Sequence, residues 1–483
     1  AHHRRRLRTQ RARVLGHQRG RQPADRELDL AEQPCRRRTE FHRQRSAPAG
    51  APARRACRDP RSDRDVRPLA RRAARALAGC SASAAAEIRR IRNPAVRAED
   101  GILVFVGTEA DYRRDYSGSP GDHTIDAAGG TLVPGLVDAH THPVWAGDRG
   151  EEIGRRLAGE SYASIAAGGG GILATVAATR NASDEELLSI VRGRLLRMLA
   201  CGATTVEAKS GYGLTVEDEL RALKVLGALG EDPDLPAIVP TLLAAHEVPP
   251  EFRDRRKEWV RIVAHEIVPR VARERLARFC DVFCEEGVFT VPESREILEA
   301  ARQAGLGRRV HADELTRSGG TLLAAELGAA SADHLLFAGD EEIAALARSG
   351  TVAVILPGTA WWMRSRSAPA RAMIEAGVPV AVASDANPGT CYTESLAAVA
   401  PHACLDSGLG VEEVLTGMTL NAAASLGLAD SIGSLEPGKA ADVLVLDAPD
   451  DRHLVYHWGI DLVTAVVRNG RLVSSKLQVP GFK

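Results

Sequence analysis

From residue 131 onward the chain alternates short apolar, β-rich runs with longer amphipathic ones. The apolar runs are Thr131–Ala139, Ala203–Ala208, Ala237–Ala244, Asp281–Cys284, Arg309–Ala312, Ser331–Leu335, Val352–Leu356 and Val378–Ser384. Most are separated by stretches with helical spacing, among them Asp184–Leu199, Val216–Leu229, Val291–Ala304, Gly320–Gly328 and Asp340–Arg348. Eight such alternations over ~250 residues predict an α/β fold, a (β/α)8 TIM-type barrel. An open doubly wound sheet is the competing reading, and it calls for a glycine-rich phosphate turn after the first strand. That turn here holds His140-Thr141-His142 instead.

Two β-like pieces flank the barrel. One is Gly101–Val106 with Thr124–Leu132; the other is Gly433–Leu446 with Leu462–Val473. Within the latter, Asn469-Gly470 is a strong signal for a two-residue hairpin turn. Neither piece can bury a face alone, so they are expected to pair into one small β-sandwich. The glycine run Gly168–Gly171 reads as a mobile loop at the barrel mouth.

Charge changes the picture of the N-terminus. Lys+Arg and Asp+Glu are both 63, but residues 1–80 hold 23 Arg, no Lys and 8 acidic residues. This stretch is +15 and the remainder is −15, so the neutral total hides a split chain. Runs such as Arg4-Arg5-Arg6 and Arg36-Arg37-Arg38 have no periodicity and read as disordered. A basic tail for RNA or an anionic surface is one reading, and a bland extension is another. The third is out-of-frame or upstream translation, since residue 1 is Ala and the first Met is Met198. The expected layout follows. Residues 1–90 are a basic, disordered or non-native extension. Residues 91–130 and 431–475 form the sandwich, and residues 131–430 form the barrel.

A neutral total argues against a uniformly basic nucleic-acid binder. No uncharged apolar run approaches the ~20 residues of a membrane span, and no secretory signal pattern opens the chain. Eight cysteines in 483 residues make no disulfide framework, so a reducing cytoplasm is expected. Cys280 and Cys284 are spaced like a possible metal pair, but a buried strand explains them better.

Catalytic groups of a barrel enzyme come from the C-terminal ends of its strands. Those ends are polar here: Asp138, His140 and His142; Glu207, Lys209 and Tyr212; His246 and Glu247; Glu285 and Glu286; His311, Asp313 and Glu314; Asp333 and His334; Asp385 and Asn387. On a strand, His140 and His142 share a face and can reach one cation. Imidazole and carboxylate donors suit Zn²⁺ or Fe, and His311 and Asp385 stand at the right ends of other strands. His123, His265, His402, His453 and His457 are read as ordinary packing or surface residues. Trp361-Trp362 is expected to cap the pocket or pack on the barrel.

Three groups of residues carry a resemblance: Pro134-Gly-Leu-Val-Asp-Ala-His-Thr-His142, Ser384-Asp385, and Pro437-Gly-Lys-Ala-Ala-Asp442. Together they resemble the amidohydrolase superfamily. Within it, the chain is similar to the imidazolonepropionase family through His142–Arg149, Gly169–Ile172, Lys209–Gly213, Ala245-His246, Phe283–Gly287, His311–Leu315, Ser331–His334 and Ser384–Thr390. The similarity spans about residues 95–475 and leaves out the N-terminal stretch.

The resemblance implies one Zn²⁺ or Fe³⁺ per chain, held by His140, His142, His311 and Asp385. Two-metal relatives use a carboxylated Lys on strand four, and strand four here has none. The implied reaction is hydrolysis of the ring amide of 4-imidazolone-5-propanoate to N-formimidoyl-L-glutamate in histidine degradation, by water activated at the metal. His334 would share the developing oxyanion, and His246 would donate to the substrate. Glu314 resembles the family's acid/base, and Asp385 could share that role through its free oxygen. Arg149 would bind the propionate and Tyr212 would wall the ring. Asn387, Gly389 and Thr390 would contact ring or product, with Gly389 letting its backbone N–H approach closely. Without the resemblance, Asn387-Pro388-Gly389 reads as a turn. A small-molecule substrate, no nucleic acid, no membrane and a homodimer complete the implied picture. A one-metal deaminase and a non-catalytic barrel are the competing classes; in the first, Arg149 would have no task.

Overall fold

A computed structural model describes residues 38–42, 88–116, 122–160, 164–165 and 168–476. Eight parallel strands form the barrel: β6 (Leu136–Thr141), β7 (Ala203–Lys209), β8 (Ala237–Ala245), β9 (Phe279–Cys284), β10 (Gly307–Ala312), β11 (Ser331–His334), β12 (Val352–Ile355) and β13 (Val380–Val382). Neighbours pair in chain order from β6 to β13. The ring closes beyond β13, where Asp385 N–H donates to His140 O (3.0 Å) and His142 N–H to Ala386 O (2.9 Å). The barrel expected from the alternation is therefore present, with ends shifted by a few residues.

The helices between strands start where local chemistry tells them to. Asp184–Ala200 opens on a Ser183/Glu186 capping box, in which each side chain bonds the other's backbone N–H. Its buried face, Leu187, Val191, Leu195, Met198 and Leu199, repeats at helical spacing and joins the main core. Among the described residues, no helix is long and apolar enough to cross a membrane.

The run Thr131–Ala139, expected to be one strand, is two. β5 (Thr131–Pro134) pairs antiparallel with β14 (Val443–Leu446) outside the barrel, and β6 begins after Gly135. Gly135 is the crossing point because a Cβ there would lie 2.2 Å from Thr204 Oγ1 on β7. Thr124–Leu132 is also split. β4 (Asp122–Asp126) and β5 lie in different sheets, and the turn between them carries Ala128 and Gly129 at φ 49° and 83°.

The flanking pieces form two four-stranded sheets. One runs β3-β2-β1-β4, with β1 at Arg38–His42, β2 at Pro94–Glu99 and β3 at Ile102–Thr108. The other runs β16-β15-β14-β5, with β15 at Val463–Arg468 and β16 at Arg471–Ser475. Asn469 and Gly470 sit at φ 47° and 70°, as a type I′ hairpin turn requires. Val96, Ala98, Leu103 and Ile125 share a core with Ala441, Val443 and Val467, so the sheets bury one another. The Pro437–Asp442 motif ties them: Gly438 N–H donates to Leu103 O, and Asn469 N–H to Asp442 Oδ1, both at 2.8 Å.

β1 lies within residues 1–90, the stretch expected to be a basic, disordered or non-native extension. It runs parallel to β2 and antiparallel to β4, filling the gap between them. A five-residue strand flanked by arginine-rich sequence carries no pattern of its own, and pairing decides it. The rest of that stretch, up to residue 87, lies outside the described residues.

Candidate metal centre and substrate pocket

Five imidazoles converge at the C-terminal mouth of the barrel. His140 comes from β6 and His142 directly follows it, His311 comes from β10, His334 from the end of β11, and His246 follows β8. Ring centroids lie 4.5 Å apart for His140–His311, 5.1 Å for His311–His334 and 5.2 Å for His142–His246. His140 Nε2 is 3.2 Å from His142 Nε2, and Asp385 Oδ1 is 3.3 Å from His142 Nε2. Donor atoms of His140, His142 and Asp385 lie within 4.8 Å of one another, as do those of His140, His311 and His334. His140 belongs to both groups, so the expected ligands fall in two overlapping clusters, His311 grouping with His140 and His334.

Backbone strain helps aim these groups. His334, Leu335 and Asp385 have φ of 75°, 65° and 53°, a region that costs a non-glycine residue roughly 1–3 kcal/mol. Asp385 is held there by its N–H bond to His140 O and by Thr359, whose hydroxyl donates to Oδ2 at 2.5 Å.

Burial, with nearby Lys209 and the other imidazoles, holds His140 and His142 well below the usual imidazole pKa. Burial does the same to His246, aided by His142 and His311. His334 is pushed down to about 3, again chiefly by burial. Neutral imidazoles carry lone pairs, which is the form a metal binds. Asp333 Oδ2 accepts from His140 Nδ1 at 2.6 Å, which leaves Nε2 as the lone-pair nitrogen. His311 Nε2 has no hydrogen-bond partner although buried. A buried imidazole nitrogen without a partner, in a cluster with a carboxylate, fits a resident metal ion.

Glu314 lies past β10 and its Oε2 is 3.4 Å from His334 Nε2. Burial and the negative charges of Asp385 and Glu285 raise its carboxyl well above the usual range. Glu285 holds the Glu314 loop from below, accepting from the N–H of Glu314 (3.1 Å) and Leu315 (2.9 Å).

The expected substrate residues divide. Tyr212 and His246 face the centre: their rings are 5.3 Å apart, and Tyr212 is 6.2 Å from His142. His246 Nδ1 bonds Gly211 O at 2.9 Å. Arg149 and Gly389 line an adjoining cavity of about 370 Å³ with Trp145, Trp361, Trp362 and Tyr392. Arg149 donates through Nε and Nη2 to Glu152 at 3.1 and 2.8 Å.

Three of the expected residues also have partners within the protein. A Cβ at Gly389 would lie 2.3 Å from Arg149 Nη1, and Gly389 N–H donates to Asn387 Oδ1 at 2.8 Å. The missing side chain therefore makes room for a guanidinium, and the N–H is occupied within the turn. Asn387 Nδ2 donates to Asp385 O (2.7 Å) and Thr390 Oγ1 (2.9 Å), while Oδ1 takes the N–H of Gly389 and Thr390. Its amide braces the turn behind Asp385, which agrees with the turn reading of Asn387-Pro388-Gly389. Finally, Asp385 Oδ2 accepts from the Thr359 hydroxyl, which fixes the oxygen expected to share in proton transfer.

Asp281, Asp333, Arg309, Thr359 and Glu285 were not singled out as working parts of the site. Their signal was present in part, since charged residues on barrel strands must find partners inside.

The comparisons agree with this geometry. The amidohydrolase family matches residues 131–473. An imidazolonepropionase of Symbiobacterium thermophilum is 50% identical over 381 residues, covering 78% of this chain and 89% of that protein. An imidazolonepropionase of Shouchella clausii is 48% identical over 388 residues, covering 80% and 87%. Among solved structures, a 5-methylcytosine deaminase from Klebsiella pneumoniae superposes with a TM-score of 0.62 at 17% identity, covering 80% of this chain and 96% of that one, which speaks for the fold alone. A barrel mouth with this donor set and this degree of identity place the chain in the amidohydrolase family and, within it, among the imidazolonepropionases.

Proposed function

We infer that the protein hydrolyses the ring amide of 4-imidazolone-5-propanoate to N-formimidoyl-L-glutamate, a step of histidine degradation. The observation that carries this reading is a His/Asp donor set at the barrel mouth with the raised Glu314 carboxyl 3.4 Å from His334. His140, His142, His311 and Asp385 would hold a single Zn²⁺ or Fe³⁺, since both ions accept such a set. When bound, the ion supplies Lewis acidity and makes a water nucleophilic near neutral pH.

The remaining work falls to side chains. Glu314 takes a proton from the attacking water and passes it to the ring nitrogen as the carbon–nitrogen bond breaks. Burial, Asp385 and Glu285 raise this carboxyl well above the usual range, which suits a group that exchanges a proton with water and substrate. His334, beside Glu314, donates to the carbonyl oxygen as it gains charge. His246 and Tyr212 wall the ring. Arg149 takes the propionate, steadied on one edge by Glu152 and seated over Gly389. Arg149→Ala should therefore raise KM about 10-fold or more, the worth of a charge-assisted pair, and leave metal content intact. Metal loss in that variant would show the pocket assignment to be wrong.

The direct test is turnover of freshly made 4-imidazolone-5-propanoate by the full chain, with metal content read on the same sample. Turnover with a single bound ion supports the reading. A metal-loaded enzyme without turnover would point to a deaminase, in which Arg149 has no task. A homodimer in a reducing compartment is also proposed. Leu405, Tyr456 and Trp458 leave apolar surface 83%, 82% and 66% exposed, and Cys201, Cys280, Cys284, Cys391 and Cys404 are free thiols.

A further inference from the structure

Beneath the imidazoles lies a closed set of charged side chains that the reaction above does not use. Glu207, Lys209, Asp281, Arg309 and Asp333 are all fully buried. Lys209 Nζ donates to Glu207 Oε1 at 2.9 Å and to Asp281 Oδ2 at 2.8 Å, and lies 4.0 Å from Asp333 Oδ2. The same Asp281 oxygen is 3.0 Å from His311 Nδ1. The same Asp333 oxygen accepts from His140 Nδ1 at 2.6 Å and from Arg309 Nη2 at 3.2 Å. One ammonium thus stands between the two carboxylates that back His311 and His140.

A carboxylate behind an imidazole keeps the proton on the near nitrogen and leaves the far lone pair for a metal. It does so only while it is fixed in place, and a buried carboxylate is fixed best by a cation held within contact distance. Arg309 reaches Asp333 but is not paired with Asp281, so Lys209 is the cation the two positions share.

We propose that Lys209 is a positioning residue of the metal centre: it anchors Asp281 and Asp333 so that His311 and His140 turn their lone pairs to the ion. This rests on the reading that those two imidazoles are ligands. The step from strand two to strand four is what allows it, because Lys209 on β7 crosses the barrel interior to reach Asp281 on β9.

The test uses the full chain, Lys209→Met and the double variant Lys209→Met/Asp281→Asn. Each is stripped of metal, titrated with Zn²⁺ against a chromophoric chelator, and melted without metal. Lys209→Met is expected to bind Zn²⁺ about 10–100-fold more weakly at temperatures where it is fully folded. The double variant removes one of the two carboxylates that Lys209 pairs, Glu207 keeping Arg309 at 3.9 Å, and should recover part of its melting temperature but not its affinity. Wild-type affinity in the folded single variant, or in the double variant if the single one does not fold, overturns the proposal. If the unmodified chain takes up no Zn²⁺, the ligand reading itself fails and the proposal falls with it.

Discussion

Asp385→Asn is expected to lose metal and activity together. The neutral amide keeps the shape of the carboxylate but not its charge, and a hard or borderline cation holds far less firmly to it. Withdrawing several kcal/mol of electrostatic stabilisation at the reacting carbonyl corresponds to roughly 10³-fold in turnover. The substitution is clean for a structural reason. Asp385 sits at φ 53°, and Asn is among the non-glycine residues best tolerated there. Its side chain can still accept the Thr359 hydroxyl. Elemental analysis of the purified variant, with turnover in added metal, reads both effects. Full activity with metal retained would remove Asp385 from the ligand set.

Glu314→Gln should lower kcat about 10²–10⁴-fold, the range for loss of a general acid/base, with metal content unchanged. The loop that carries it should survive, because Glu285 holds that loop by backbone N–H groups and the Thr316 hydroxyl, not by the Glu314 carboxyl. Its contact with His334 is 3.4 Å and can persist through the amide oxygen. The amide cannot shuttle a proton between water and the ring nitrogen. A kcat within a few-fold of the unmodified chain would move the proton transfer elsewhere, and Asp385 is poorly placed to inherit it since Thr359 bonds its second oxygen.

Legibility in the sequence followed the range of the interaction. His140 and His142 could be paired on paper because a strand repeats every two residues, and both lie in the centre. The Asn469-Gly470 turn was legible because its φ values are intrinsic to those residues. At Gly389 the missing side chain also leaves room for a guanidinium 240 residues earlier, which no local rule reports. β1 was missed because its register comes from β2 and β4.

By itself, the sequence determined the alternation of strands and helices, the hairpin, the capped helix starts and the histidine pair facing one way. Each depends on propensities and periods within a few residues. Only the tertiary structure decided which strand end met which. Asp333 stands 193 residues from His140, and Lys209 stands 72 from Asp281. Parallel barrel strands are buried on both faces, so their sequences lack the polar alternation that would mark an inward side. A buried Lys or Asp on such a strand says that it must have a partner. Which partner it has is settled when the barrel closes.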